Sequence, residues 1–268
     1  MAYPTVQAPY GLIPINLIGG QVFAGATRQI PISSGYTPSI FYGDVVNLSS
    51  SGILAKDTGT TTATPVGVFL GCSYTDPTFG KVFRQFYPTG TVASDIVAYV
   101  QDDPDALFKV AAVSGTTVIA APGRTFVGNN AALVQNAGST TTGNSGVAVT
   151  DFATTATLPI RVIDVVPDTV IVTTQTATTT SGSTSVTLSA ANADILKFMA
   201  ISGTGIAAGS TVSAISGTSL TLSANATASG TVTLTFVGYP ELVVKWNAPN
   251  VTGQTVAGGH QYLNPTGV

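Results

Sequence analysis

Charge is what this sequence has least of. Its 268 residues carry nine Lys or Arg and twelve Asp or Glu, 8% of the chain, against roughly 25% in an ordinary soluble domain. The net charge is −3 and no basic stripe appears, so nucleic-acid binding is not expected. There is one cysteine, Cys72. It excludes an internal disulfide framework and reads as a small buried thiol. There is one histidine, His260, with no ligand spacing around it, so neither a metal site nor a cofactor is expected. No run approaches ~18 consecutive apolar residues, and no membrane span is read. The opening MAYPTVQAPY lacks a basic start and an apolar core. It is not read as a secretory signal, and folding in a cytoplasm is expected. No stretch sustains a 3.6-residue apolar period, so almost no helix is predicted.

What is there is Gly, Pro and Thr between short β-type runs, which predicts an all-β chain of one or two domains. The stretch from Thr173 to Phe236 is Thr, Ser, Ala and Gly with two charges, Asp194 and Lys197. In VSAISGTSLTL, two alternating runs flank Ser216-Gly217-Thr218, the signature of a hairpin with a three-residue loop. That register sets Val212 opposite Leu222 and Ala214 opposite Leu220, with Ser213, Ser219 and Thr221 on the other face. Val186 and Leu188 share one side of SVTLSA, and Val232, Leu234 and Phe236 one side of TVTLTF. Residues 173–236 are therefore predicted to be an inserted, Ig-like β-sandwich module with its own core. ADILKFM, Ala193–Met199, reads as one helical turn or a loop edge. The glycines of GTGIAAG, Gly203–Gly209, do not fit the dinucleotide fingerprint and read as turns.

Around the module, GDVVNL, PVGVFLG, KVFRQFY, DIVAYV and ALFKVAAV are strands separated by Gly, Pro, Asp and Thr, as in a small β-barrel or sandwich. TLPIRVIDVV, Thr157–Val166, and PELVVKW, Pro240–Trp246, read as strands of one domain that the module interrupts. The body is thus assigned to 35–172 and 237–250. Residues 1–34 are punctuated by Pro and Gly and predicted to be an extended arm. Its Leu12, Ile13, Ile15, Leu17, Ile18, Val22 and Phe23 are too apolar for a solvated tail, and are expected to lie on the body or on a neighbouring subunit. Residues 251–268 are predicted to be an extended tail, with His260 near a subunit contact.

APYGLIPINLIGGQVFAGATRQIPI, YTPSIFYGDVVNLSSSG, PVGVFLG, the phrase DPDALFKV and the ending PELVVKWNAPN…GGHQYLNPTGV resemble a set of tailed-bacteriophage structural proteins, the capsid decoration (cement) proteins. The resemblance covers the chain outside the module. It implies a β-rich virion protein that binds the outer capsid surface, contacts the major capsid protein and stabilises the lattice as a homotrimer, with no enzymatic activity. The phrases around GSTSVTLS and GTSLTLS resemble a small β-sandwich module of phage and bacterial surface proteins, which implies contact with the host surface through that module. The alternative is a tail, fibre or other host-surface-binding structural protein.

Three places invite chemistry. Asp102, Asp103 and Asp105 could supply part of a calcium site, but read as a turn whose carboxylates accept their own backbone amides. GNSG, Gly143–Gly146, resembles a serine-nucleophile loop, with His260 as the one available histidine. A tetrad of this composition in a Ser/Thr/Gly-rich run reads as a β-turn, so no catalytic residue is assigned. Tyr36, Phe41, Tyr42, Phe69, Phe83, Phe86, Phe108 and Trp246 are read as mostly core, with some available to anchor an interface.

Overall fold

The computed structural model describes residues 9–114, 118–119, 124–169, 172–197, 199–238, 240–248 and 259–263. The fold is all-β. Strands are numbered along the chain. The first eight are β1 (Ile13–Leu17), β2 (Arg28–Pro31), β3 (Val45–Leu48), β4 (Leu54–Lys56), β5 (Gly67–Asp76), β6 (Gly80–Arg84), β7 (Val97–Gln101) and β8 (Ala106–Ala111). A short pair follows, β9 (Val113–Ser114) and β10 (Val118–Ile119), and then β11 (Asn130–Val134), β12 (Ala148–Ala153) and β13 (Ile160–Val165). The Thr-rich stretch forms β14 (Val172–Thr179), β15 (Ser185–Leu188), β16 (Ala200–Ser202), β17 (Val212–Ser216), β18 (Ser219–Leu222) and β19 (Gly230–Val237), and β20 (Glu241–Trp246) ends the series. Helical structure among the described residues is confined to three-residue 3-10 turns, such as Gln261–Leu263.

The chain divides into two compact units. The larger, called the body below, comprises Pro9–Ala111, Thr125–Asp164 and Leu242–Val268. It holds two sheets. One runs β1-β8-β20-β13-β11-β12, so β13 and β20 are hydrogen-bonded neighbours although 75 residues of chain separate Val165 from Glu241. The other runs β2-β7-β5-β3-β4, with β6 also paired to β5. Alternation dictates which side chains go inside. Leu242, Val244 and Trp246 of β20 are buried, as are Leu158, Ile160 and Val162 around β13. Ile30, Val46, Phe69, Cys72, Tyr74, Tyr87, Ala98 and Val100 fill the second sheet's core. At Gly67 a Cβ would stand 2.1 Å from the Gln101 carbonyl oxygen, so only glycine lets β5 approach β7 this closely.

The predicted N-terminal arm is, from Leu12 to Pro31, part of the body. β1 pairs with β8 and β2 with β7. Pro14 sits on β1, an edge strand with a bulge between Pro14 and Asn16, where a missing N–H costs no ladder bond. Residues 1–8 of the arm and 251–258 and 264–268 of the tail lie outside the described residues. The described part of the tail, residues 259–263, is docked on the body rather than extended.

The second unit includes Ala112–Arg124 and Val165–Glu241. Its six long-stretch strands run β16-β19-β14-β15-β18-β17. A bridge between Ala200 and Thr211 and the bonds Ile201 N–H to Ser210 (3.0 Å) and Val212 N–H to Met199 (2.9 Å) join the two outer strands. This is one sheet curled shut, where the sequence predicts two facing sheets. Closure leaves the apolar face inside: Ala177, Val186, Leu188, Ile195, Met199, Ile201, Val212, Leu220, Leu222, Leu234 and Phe236 form its core. The outer face is a hydroxyl ladder, with Thr174 opposite Thr235, Thr176 opposite Thr233 and Thr178 opposite Thr231. Thr173 and Phe236, the ends of the predicted insertion, are themselves register partners. The β17–β18 hairpin departs from the predicted register. Val212 faces Leu222, but a bulge then sets Ile215, not Ala214, opposite Leu220, and Ser216 pairs with Ser219. The loop is the two residues Gly217-Thr218 with Gly217 at φ 58°, as a type II′ turn requires. The bulge adds one residue and turns Ala214 outward.

Candidate functional site

The arm and the tail, read separately as contact segments, meet at Asp102. Arg28 Nε donates to Asp102 Oδ2, the Tyr262 hydroxyl donates to the same oxygen at 3.0 Å, and the Arg28 guanidinium lies 5.4 Å from the Tyr262 ring centroid. Beside this cluster, residues between Leu17 and Arg28 and the Gln101–Asp103 turn border a groove of about 590 Å³. Leu17, Val22, Phe23, Arg28, Asp102 and Asp103 line it. Ile18 and Val22 stand exposed at its N-terminal side, and Tyr262 and Leu263 are exposed on the tail segment. Ile13, Ile15, Leu17 and Phe23 are half-buried.

Two of the predicted contact residues face inward instead. Leu12 and His260 are both fully buried in their own chain, so neither presents a side chain to a partner. Leu12 is pulled in because its N–H donates to the Gly43 carbonyl (3.0 Å). His260 is held between Trp246 and Tyr262, with ring centroids 6.2 and 5.3 Å away. Its Nδ1 accepts the Tyr262 N–H at 3.3 Å, and its Nε2 meets no hydrogen-bond partner. Burial depresses its pKa to about 4, with the backbone at Val66 and Asp102 and the carboxylates of Asp102 and Asp103 opposing only part of that shift.

The three turn aspartates do not converge. Asp102 is committed to Arg28 and Tyr262, Asp103 Oδ1 accepts the Asp105 N–H at 2.8 Å, and Asp105 Oδ1 lies 3.4 Å from Lys245 Nζ. Among the described residues no group of three His, Cys, Asp or Glu side chains is placed to hold a metal ion. Ser145 is buried and donates to Asp44 Oδ1 at 2.6 Å, while its Oγ accepts the Val147 N–H at 3.0 Å. The other Asp44 oxygen takes Lys56 Nζ (2.7 Å) and the Phe41 N–H (2.8 Å). This arrangement binds a serine to a carboxylate in the interior. The His260 hydrogen bonds lead elsewhere, to the Tyr262 N–H and the Asn247 carbonyl. Gly11 completes the junction: it adopts φ 89°, and a Cβ there would stand 2.6 Å from the Gly43 oxygen and 2.7 Å from Ser145 Cβ. Cys72 is a core thiol whose pKa burial raises to about 12, with Arg84 opposing.

The second outward feature is aromatic. Phe83, one of the aromatics read from the sequence as mostly core with some available to anchor an interface, is 73% exposed. In β6 its neighbour Val82 turns toward the core, so Phe83 turns out, where it stacks on Tyr99 with centroids 6.5 Å apart. Phe79, at the tip of the β5–β6 hairpin, and Val92 are as exposed. The sequence signal for Phe83 is parity alone: in Lys81-Val82-Phe83 only one of the two apolar neighbours can face inward. Arg28 and Tyr262 carry no such local signal.

Compared with known proteins, the chain matches no family model, no curated protein and no solved structure. The site's meaning therefore rests on its own chemistry.

Proposed function

We propose that this chain is a structural virion protein that binds the outer surface of a phage capsid and stabilises the lattice by bridging capsomers, as a homotrimer. The observation that carries this reading is the distribution of exposed apolar side chains. Among the described residues, the exposed large ones are Ile18, Val22, Phe79, Phe83, Val92, Val172, Tyr262 and Leu263, and all but Val172 belong to the body. The module offers threonines instead. A body with few charges and a scatter of exposed aromatics adheres through apolar anchors, since aromatic residues carry much of the energy of protein interfaces. Repetition supplies the rest: a subunit that touches two capsomers gains avidity through effective concentration without any reaction. A trimer matches a threefold lattice position, where heterologous contacts close on themselves. The major capsid protein is the partner this reading requires.

The test is co-sedimentation with capsids assembled without this protein. The wild-type chain is expected to pellet with them. Val22→Ser combined with Phe83→Ser replaces two solvent-facing anchors, leaves the core untouched, and is expected to weaken occupancy tenfold or more, at about 1 kcal/mol for each anchor. A wild-type chain that stays in the supernatant, or a double variant that binds as well as wild type, refutes the proposal.

A further inference from the structure

We propose that Gly259–Leu263 is a strap that acid releases from the body, with His260 as its proton-sensitive anchor. This rests on the geometry of the strap and the burial of its histidine, and holds whatever the protein binds. The strap is fastened by directional bonds on several sides. Gly259 N–H donates to Ala63 (3.1 Å), Gln261 N–H to Pro65 (2.7 Å) and His260 N–H to Asn247 (3.3 Å). The Gln261 amide brackets the backbone of Leu48, accepting its N–H at 2.9 Å and donating to its carbonyl at 3.0 Å. The Tyr262 hydroxyl reaches Asp102.

Under these bonds sits the one imidazole of the chain, without access to water. Because Nδ1 accepts the Tyr262 N–H, that nitrogen carries no proton, and the ring is neutral with its hydrogen assigned to Nε2. A second proton would have to go on Nδ1. It would face a donor, the existing bond would break, and the ring would become a buried cation, a cost that the nearby Val66 and Asp102 backbone offsets only in part.

The surrounding charges do not reverse this. Asp102 and Asp103, from the turn after β7, favour the cation, but Asp102 is already engaged by Arg28 and Tyr262. Tyr262 is the titratable group on the strap itself, and its hydroxyl is pushed above its ordinary range by burial and by Asp102. From β20 the ring meets Trp246, and Lys245 on that strand turns to Asp105. The loop before Pro65 contributes Asp57, which is tied to the Gly59 and Thr64 amides.

The linkage has one sign. The closed strap holds the imidazole at a pKa of about 4, whereas released it returns to about 6.5. Above pH 7 both forms are neutral and acidity has no effect. As pH falls through 6.5 toward 4, the open form binds protons that the closed form refuses. The open-to-closed ratio then rises by up to about 300-fold, the tenfold-per-unit equivalent of that difference. Opening uncovers Trp246, frees Asp102 from Tyr262 and removes one wall from the surroundings of Arg28.

The full chain suits the test, because it has one histidine and one tryptophan, and they are neighbours. Hydrogen exchange of the peptide covering Gly259–Leu263 is measured between pH 7.5 and 4 and corrected for intrinsic rates, with Trp246 emission and far-UV circular dichroism alongside. The expected result is a rise of one hundredfold or more in strap opening, with a red shift of Trp246, while the sheet signal is unchanged. His260→Phe keeps an aromatic ring that cannot titrate, and its opening is expected to be flat with pH. Gln261→Ala, which loosens the strap and keeps the histidine, is expected to open more at every pH with the same pH slope. A change below threefold in the wild-type chain overturns the proposal. So does the same pH response in His260→Phe, or quenching of Trp246 without faster exchange, which would mean that the ring titrates in place. Should His260→Phe fail to fold, the Gln261→Ala slope and the wild-type exchange decide alone.

Discussion

Replacing Ser145 with alanine probes the junction at Asp44 more sharply than any surface change. The Asp44 carboxylate is completely buried, and among the described residues one of its oxygens is satisfied only by the Ser145 hydroxyl at 2.6 Å. A hydrogen bond to a charged group contributes about 1.5–3 kcal/mol, and the orphaned Val147 N–H adds a smaller loss. Ser145→Ala should therefore destabilise the body by about 2–3 kcal/mol. Trp246 makes the assay selective: it is the one tryptophan and lies in the body, so its fluorescence in a urea titration follows the body alone. With a slope of about 2–3 kcal/mol per molar urea, the midpoint should fall by about 1 M. Lys56→Met leaves the carboxylate buried without its counter-charge and should cost about 3–5 kcal/mol. The double variant should cost less than the sum, because both changes act on one carboxylate. A Ser145→Ala midpoint within 0.2 M of wild type, taken as roughly 0.5 kcal/mol, would refute this account of the junction. A hydrolase activity lost with the hydroxyl would do so more directly.

Replacing Thr174–Thr235 with a short Gly-Ser linker should leave the Trp246 urea transition within about 1 kcal/mol of wild type, because the remaining ends, Thr173 and Phe236, are opposed in one ladder. Loss of the body transition would show that the two units fold as one. Cys72, buried with its thiol pKa near 12, should resist a thiol reagent at pH 8 in the native protein and react fully in denaturant. Stoichiometric labelling of the folded chain would contradict that burial.

The strands were legible because their alternation is local. Leu158, Ile160 and Val162, or Leu242, Val244 and Trp246, declare an inner face within a few residues, and both sets lie inside. The same pattern assigned both to one domain interrupted by the inserted stretch, while their pairing as neighbours appears only in the fold. The β17–β18 register was missed because a bulge is one extra residue with no composition of its own. What decides the site is longer in range. Arg28 and Asp102 are 74 residues apart, Asp44 and Ser145 101, and Leu48 and Gln261 213. Nothing near any of these residues names its partner. His260 illustrates the cost of that distance. In a Gly- and Asn-rich tail a lone histidine reads as a residue near a subunit contact, and only the fold reveals that Trp246 and Tyr262 enclose it.

The β14–β19 ladder has a mechanical consequence. The two strands that carry the module's ends are antiparallel and opposed from Val172↔Val237 to Thr179↔Gly230. Both points of attachment therefore lie at one end of the same ladder. A load that spreads them apart opens the ladder from Val172 and Val237 inward, one rung at a time, at low force. A load drawn along the strands from the opposite end pulls β14 and β19 together and cannot slide one past the other. It must instead shear them against β15 and β16, where the register pairs Ala177↔Leu188 and Thr178↔Thr187 on one side and Ala200↔Val237 to Ser202↔Thr235 on the other carry the tension in parallel. The module is thus a directional fuse, yielding to sideways strain at its base and resisting traction along its length.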